Sequence, residues 1–255
     1  MSDCVIWFTL FDDECESAAS NKQLEWLTSE HARLIDILKG VELTNSDTPL
    51  ARALRNIQQR LLQHGTSEWM LGFTEEVAKF FKGQFREALN YSQGITPDLP
   101  TYIQIRSLTG GMFIFFKITF LVERIDLPTE VVKHTLVKQI ERVANKVASF
   151  ANDILSYEKE IKEGCTHNLV HVIQQEYQIP VQEAIERAAS LHDAEVCSFI
   201  ELLAQLPSFG AEIDGNLERY ISSLQFWMRG NLDWSVKAER YQRSCLSVHA
   251  TKPIK

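Results

Sequence analysis

Asn152, Ser156 and Glu160 stand four residues apart in the stretch Asn152-Asp153-Ile154-Leu155-Ser156-Tyr157-Glu158-Lys159-Glu160. On an α-helix that spacing sets a carboxamide, a hydroxyl and a carboxylate along one face, one turn above the next. An all-oxygen set of this kind suits a hard cation such as Mg²⁺, which keeps waters and substrate phosphates in the rest of its shell. Lys159, immediately before the last of the three, is placed to neutralise a phosphate on the same cation. A solvated polar face is the competing reading. Leu136, Ile140, Val143, Val147, Phe150 and Ile154 recur at steps of three and four and give the helix its core face elsewhere.

A second acidic cluster lies near the start. Phe11-Asp12-Asp13-Glu14-Cys15-Glu16 holds four carboxylates in five positions, and Asp12 and Glu16 share a helix face. Like charges so close repel, so the cluster is either well solvated or neutralised by cations. An acidic first turn that complements the helix dipole explains the residues equally well. However, Trp7, Phe8, Leu10 and Phe11 lead directly into the acids, which describes an acid cluster at the edge of an apolar pocket.

The elements that must carry these clusters read as helices throughout. Segments of about 12–39, 47–64, 66–92, 99–123, 129–163, 166–177, 180–205 and 211–230 are bounded by Gly40, Gly65, Gly94, Pro97, Pro100, Pro128, Gly164, Pro180, Pro207 and Gly210. No segment alternates β-branched residues, and long 3.6-period segments with short connections predict an all-α bundle. At 255 residues and 45% hydrophobic content the chain can bury a sizeable core. No repeat or linker marks a second domain, so one domain over 1–255 is expected.

Net charge of −8 argues against nucleic-acid or anionic-membrane partners, which need clustered Lys and Arg. Cys4, Cys15, Cys165, Cys197 and Cys245 are odd in number and scattered, the pattern of reduced thiols. The start lacks the features of a signal peptide, and no apolar run approaches membrane-spanning length; Gly111 to Val122 is short and contains Lys117. A soluble, cytoplasmic protein is expected. His167 and His171 stand at a zinc-like i, i+4 spacing, but no Glu follows His167 as a metalloprotease requires.

The two clusters together resemble a known family. Asp12-Asp13-x-x-Glu16 is similar to the aspartate-rich motif of class I terpene synthases, and Asn152-Asp153-x-x-Ser156-x-x-x-Glu160 to their second metal motif, the NSE triad. Arg106-Ser107-Leu108-Thr109-Gly110 resembles the family's diphosphate sensor, linker and effector, where a helix breaks three to four residues after the sensing arginine. Trp234, with Arg240-Tyr241 beyond it, resembles the C-terminal arginine-tyrosine pair and its upstream aromatic, and Thr166-His167-Asn168-Leu169-Val170 follows the triad as in bacterial members. Members usually carry two further helices before the aspartate-rich motif. Here that motif lies at Asp12, which bears on active-site closure and folding more than on the ligands.

The resemblance implies a helical bundle around a central cavity and a Mg²⁺-dependent cyclisation of a linear isoprenyl diphosphate. Farnesyl diphosphate giving a sesquiterpene is the first expectation, and geranyl or geranylgeranyl substrates are the alternatives. A non-catalytic isoprenoid-binding protein is the reading from another class. By resemblance, Asp12, assisted by Asp13 or Glu16, binds two Mg²⁺ ions, and Asn152, Ser156 and Glu160 bind a third, with Mn²⁺ an alternative ion. Arg106, Lys159, Arg240 and Tyr241 hold the diphosphate, and Thr109 links the sensor to the Gly110 carbonyl, with Gly111 the neighbouring alternative. Phe8, Phe11 and Trp234 are the expected aromatic faces towards the carbocation. A monomer or homodimer without a membrane anchor is implied.

Overall fold

The computed structural model describes residues 1–238; Arg240, Tyr241 and Cys245 lie outside the described residues. Among the described residues every regular element is a helix. In order these are α1 (Ser2–Ser20), α2 (Leu24–Leu38), α3 (Pro49–Leu62), α4 (Ser67–Gln93), α5 (Leu99–Thr109) and α6 (Met112–Val122), then α7 (Thr129–Val132), α8 (Thr135–Lys162), α9 (Leu169–Tyr177), α10 (Val181–Leu203) and α11 (Ala211–Lys237). The all-α expectation holds.

Two compact units divide the described residues: 1–95, 104–128 and 210–220 form one, and 96–103, 129–209 and 221–238 the other. In the first, α1 packs on α2, α3 and α4, and α4 also packs on α6. Cys4, Trp7, Phe8, Phe11 and Cys15 of α1 recur at helical intervals and bury against Leu27 and Leu34 of α2 and Phe73, Val77, Phe80 and Phe81 of α4. In the second, α10 packs on α8 and α9. Its core joins Tyr102, Phe150 and Tyr157 to Leu169, Val170, Val172 and Ile173 of α9 and to Ala184 and Ala188 of α10, whose small side chains let the helices approach closely.

Three boundaries differ from the sequence expectation, and a fourth, within 99–123, is the break that the resemblance implies. The predicted 12–39 helix is two, separated where Lys22 takes the left-handed region at φ +57°. The chain is already helical from Ser2, so Asp12 sits well inside α1 and the acidic first-turn reading does not apply. Residues 129–163 are interrupted after Val132. The 99–123 segment breaks at Gly110–Gly111, with Gly111 at φ +68°, a conformation that costs a side-chain-bearing residue about 1–2 kcal/mol. By length and composition alone Leu99–Val122 would suffice to cross a bilayer. It is two helices, however, and Tyr102, Ile105, Ile114, Phe116 and Ile118 are buried within the protein.

Candidate functional site

In the first unit the acidic cluster gathers around Asp12. Successive helical residues turn by about 100°, so the buried Phe11, half-buried Asp12 and exposed Asp13 step across the edge of the apolar stripe. Behind Asp12 the wall is aromatic. Phe11 has no exposed surface, and its ring stacks on Trp7 at 5.1 Å and tilts against Phe81 and His31. Phe8 packs edge-on to Trp7, Phe80 and Phe115. The structure therefore seats both rings in the core, where they support the acidic turn from behind.

Helix α4 supplies the partners that sequence reasoning missed. Gln84 donates a hydrogen bond from Nε2 to Asp12 Oδ1. Thr109 Oγ1 donates to Glu87 Oε1 at 2.8 Å. Gly83 permits this approach, since a Cβ there would lie 2.7 Å from Thr109 Cγ2 and 2.8 Å from Leu108 Cβ. One face of α4 thus links the aspartate-rich turn to the end of α5, three residues after Arg106. The readable signal was Gly83-Gln84 followed by Glu87 inside an otherwise aromatic run of Phe80, Phe81 and Phe85.

The electrostatics of this cluster fit a cation. Burial first, and then the negative charges of Glu87 and Asp13, push the Asp12 carboxyl up to about pKa 6, against the opposing hydrogen bond from Gln84 and the charge of Arg106. A carboxylate held among carboxylates gains from any cation that enters. Cys15 lies behind the same turn and meets His31 Nε2 at 3.9 Å. Burial, then the acids Asp12, Glu14, Glu87 and Glu16, push its thiol far above the ordinary range. A thiol held protonated in this way packs as a small apolar group. Glu16 is exposed on the following turn.

In the second unit Asn152, Ser156 and Glu160 occupy the last turns of α8. Asn152 and Glu160 are half-buried and Ser156 is fully buried, with its hydroxyl donating to the Asn152 carbonyl at 2.8 Å. The set therefore does not face open solvent. Lys159 Nζ pairs with Glu163 at 2.6 Å. Asp153, within the motif, points the other way: buried, it accepts from Tyr102 Oη and, at 3.3 Å, from the Leu169 amide. Asn168 Nδ2 donates to the Asp153 carbonyl at 2.7 Å and to Glu160 Oε2 at 2.9 Å. Neither Tyr102 nor Asn168 was assigned a role from the sequence. Trp234 is 52% exposed near the end of α11, and Arg240 and Tyr241 lie outside the described residues.

An oxygen set with a single carboxylate, and a carboxylate cluster beside Arg106, are chemically suited to a hard divalent ion with an anionic ligand in its shell. Among the described residues no three His, Cys, Asp or Glu side chains come together as a ready-made metal site, so any ion here would draw on carboxamide, hydroxyl, water or substrate oxygens as well.

Residues 3–197 match the family model described as terpene synthase family 2, C-terminal metal binding. The chain is 36% identical over 240 residues to (+)-T-muurolol synthase, a (2E,6E)-farnesyl diphosphate cyclizing protein of Roseiflexus castenholzii, covering 94% of this chain and 74% of that protein. It is 35% identical over 239 residues to germacrene A synthase of Nostoc punctiforme, again covering 94% and 74%. Among solved structures, germacradien-4-ol synthase from Streptomyces citricolor superposes with a TM-score of 0.80 at 24% identity, covering 91% of this chain and 76% of that one. Linalool/nerolidol synthase from Streptomyces clavuligerus does so with 0.81 at 22%, covering 91% and 79%.

Proposed function

Since this chain belongs to terpene synthase family 2, a family of divalent-metal-binding enzymes that act on isoprenyl diphosphates, we propose that it ionises farnesyl diphosphate and cyclises the cation to a sesquiterpene. The observation that carries the reading is the Asp12 carboxylate, held by Gln84 beside Glu87 and Asp13 and pushed up to about pKa 6. That cluster is costly without a cation and coincides with the aspartate-rich motif. The names of the 35–36% identical relatives, which cyclise farnesyl diphosphate or make sesquiterpenes, support the fifteen-carbon substrate.

Asp12, with Asp13 or Glu16 assisting, would hold two Mg²⁺ ions, and Asn152, Ser156 and Glu160 a third; Mn²⁺ is the alternative. Bound there, the ions would supply Lewis acidity towards the charge that develops on the leaving diphosphate. The chain's own residues do the rest. Arg106 is the proposed diphosphate donor beside Asp12, its guanidinium fork suited to the anion. Lys159 would exchange Glu163 for a diphosphate oxygen, and Arg240 and Tyr241 are proposed to hold others. As the C–O bond breaks, its electron pair leaves with diphosphate. The Glu87–Thr109 hydrogen bond would keep the end of α5 in register with the aspartate-rich turn, and the Gly110 carbonyl is proposed to face the developing cation, the Gly111 carbonyl accepting from the Ile114 amide at 3.1 Å. Trp234 is the aromatic proposed to face the cation.

Incubation with geranyl, farnesyl and geranylgeranyl diphosphates, with and without Mg²⁺, followed by gas chromatography and mass spectrometry, tests the proposal. A cyclic fifteen-carbon product that needs metal is expected. Tight binding of farnesyl diphosphate with no consumption would identify a non-catalytic isoprenoid binder instead.

A further inference from the structure

We infer that Asn168 is the positioning residue that presents Glu160 to the metal, an inference that rests on reading Asn152, Ser156 and Glu160 as a metal-binding set. The local fold creates the contact. Helix α8 ends with Gly164 at φ +81°, and the Cys165 amide donates back to the Glu160 carbonyl at 2.9 Å, a six-to-one closure that reverses the chain. Three residues later Asn168 reaches the N-cap of α9, and its Oδ1 accepts from the Val170 amide at 2.9 Å.

That one side chain then uses both of its donors. One amide hydrogen goes to the Asp153 carbonyl at 2.7 Å and the other to Glu160 Oε2 at 2.9 Å. Two acceptors on the nitrogen side and one donor on the oxygen side fix the amide's orientation. Asn168 has no exposed surface, so no water competes for these bonds. The anchor is itself anchored, because Asp153 is held by Tyr102 Oη and the Leu169 amide. The clamp therefore spans residues 153 to 160, bracketing Ser156.

The consequence for Glu160 is chemical as well as geometric. A neutral donor fixes one carboxylate oxygen and the rotamer without cancelling the charge. Oε1, which makes no protein hydrogen bond among the described residues, is left for a cation. Outer partners of metal ligands of this kind contribute roughly ten- to hundredfold in metal affinity.

The substitution Asn168→Asp keeps the volume and the capping oxygen but replaces the donor with an oxygen facing Glu160. Asn168→Ser keeps a capping hydroxyl and cannot reach Glu160, and serves if the first does not fold. In the full chain, the Mg²⁺ concentration that half-saturates the melting-temperature rise in the presence of inorganic diphosphate is measured. Both variants should raise it roughly ten- to hundredfold, while in a Glu160→Ala background Asn168→Ser should add nothing. Wild-type Mg²⁺ dependence in the variants, or the same loss in both backgrounds, overturns the inference. A wild-type chain with no Mg²⁺ response to diphosphate overturns instead the metal-binding reading on which it rests.

Discussion

At the scale of single residues, Asp12 makes the sharpest predictions. Its folded carboxyl titrates at about pH 6, above the ordinary 3.8. A raised acid favours the folded state while protonated, so its contribution is present below pH 3.8 and is lost as pH rises through about 6. A metal ion replaces the missing proton. The melting-temperature gain from Mg²⁺ with diphosphate should therefore be small near about pH 5 and grow towards about pH 7.5; a gain that is flat with pH contradicts the metal role of Asp12. Asp12→Asn should abolish the gain and leave the metal-free protein more stable than wild type above pH 6, which melts in the two states would show. Asn152→Ala and Glu160→Ala remove half-buried polar groups with little packing. Each should lose turnover by orders of magnitude while its metal-free melting temperature stays within a few degrees of wild type.

At the scale of elements, the approach of α4 to α5 is the constraint most exposed to test. Gly83→Ala would press a methyl into Thr109 and Leu108, an overpacking worth about 1–3 kcal/mol. Denaturant melts should show that loss, together with a fall in turnover larger than stability explains, because the Glu87–Thr109 bond must shift. Helix α2 carries a second pH effect of opposite sign. Burial against Phe11 and Phe81 lowers His31 from 6.5 to about 4. Its contribution is present above pH 6.5 and is lost as pH falls through that value towards 4. The Asp12 and His31 effects offset each other over one window, so His31→Gln should make the metal-free protein lose stability steadily as pH rises from about 4 to 6.

These elements also show what the sequence made legible. The apolar steps of α8 and the helix ends at Gly94 and Gly164 were readable because periodicity and glycine carry direct structural meaning, whereas the Gly110–Gly111 break was implied only by the family resemblance. The split between α1 and α2 was not, since neither Gly nor Pro marks Asn21–Gln23 and tertiary packing holds Lys22 in the left-handed region. The same oversight placed Asp12 in a first turn rather than on the flank of a longer helix. Residue types named Asn152, Ser156 and Glu160, but Gln84, Glu87, Tyr102 and Asn168 act through partners 8 to 72 positions away in the chain. Such partners have no one-dimensional spacing to betray them.

At the scale of the whole molecule, each unit carries one acidic oxygen set and its own supporting hydrogen bonds, and the family match from residue 3 to residue 197 spans both sets. These residues are expected to turn over an isoprenyl diphosphate only with a divalent ion. The most direct measurement is product analysis by gas chromatography and mass spectrometry after incubating the 255-residue chain with farnesyl diphosphate, with Mg²⁺ and with chelator. A cyclic sesquiterpene formed with Mg²⁺, absent with chelator and absent from Glu160→Ala, is the predicted result. A product that forms equally well in chelator, or that survives in Glu160→Ala, would show that this metal-binding set does not carry the reaction.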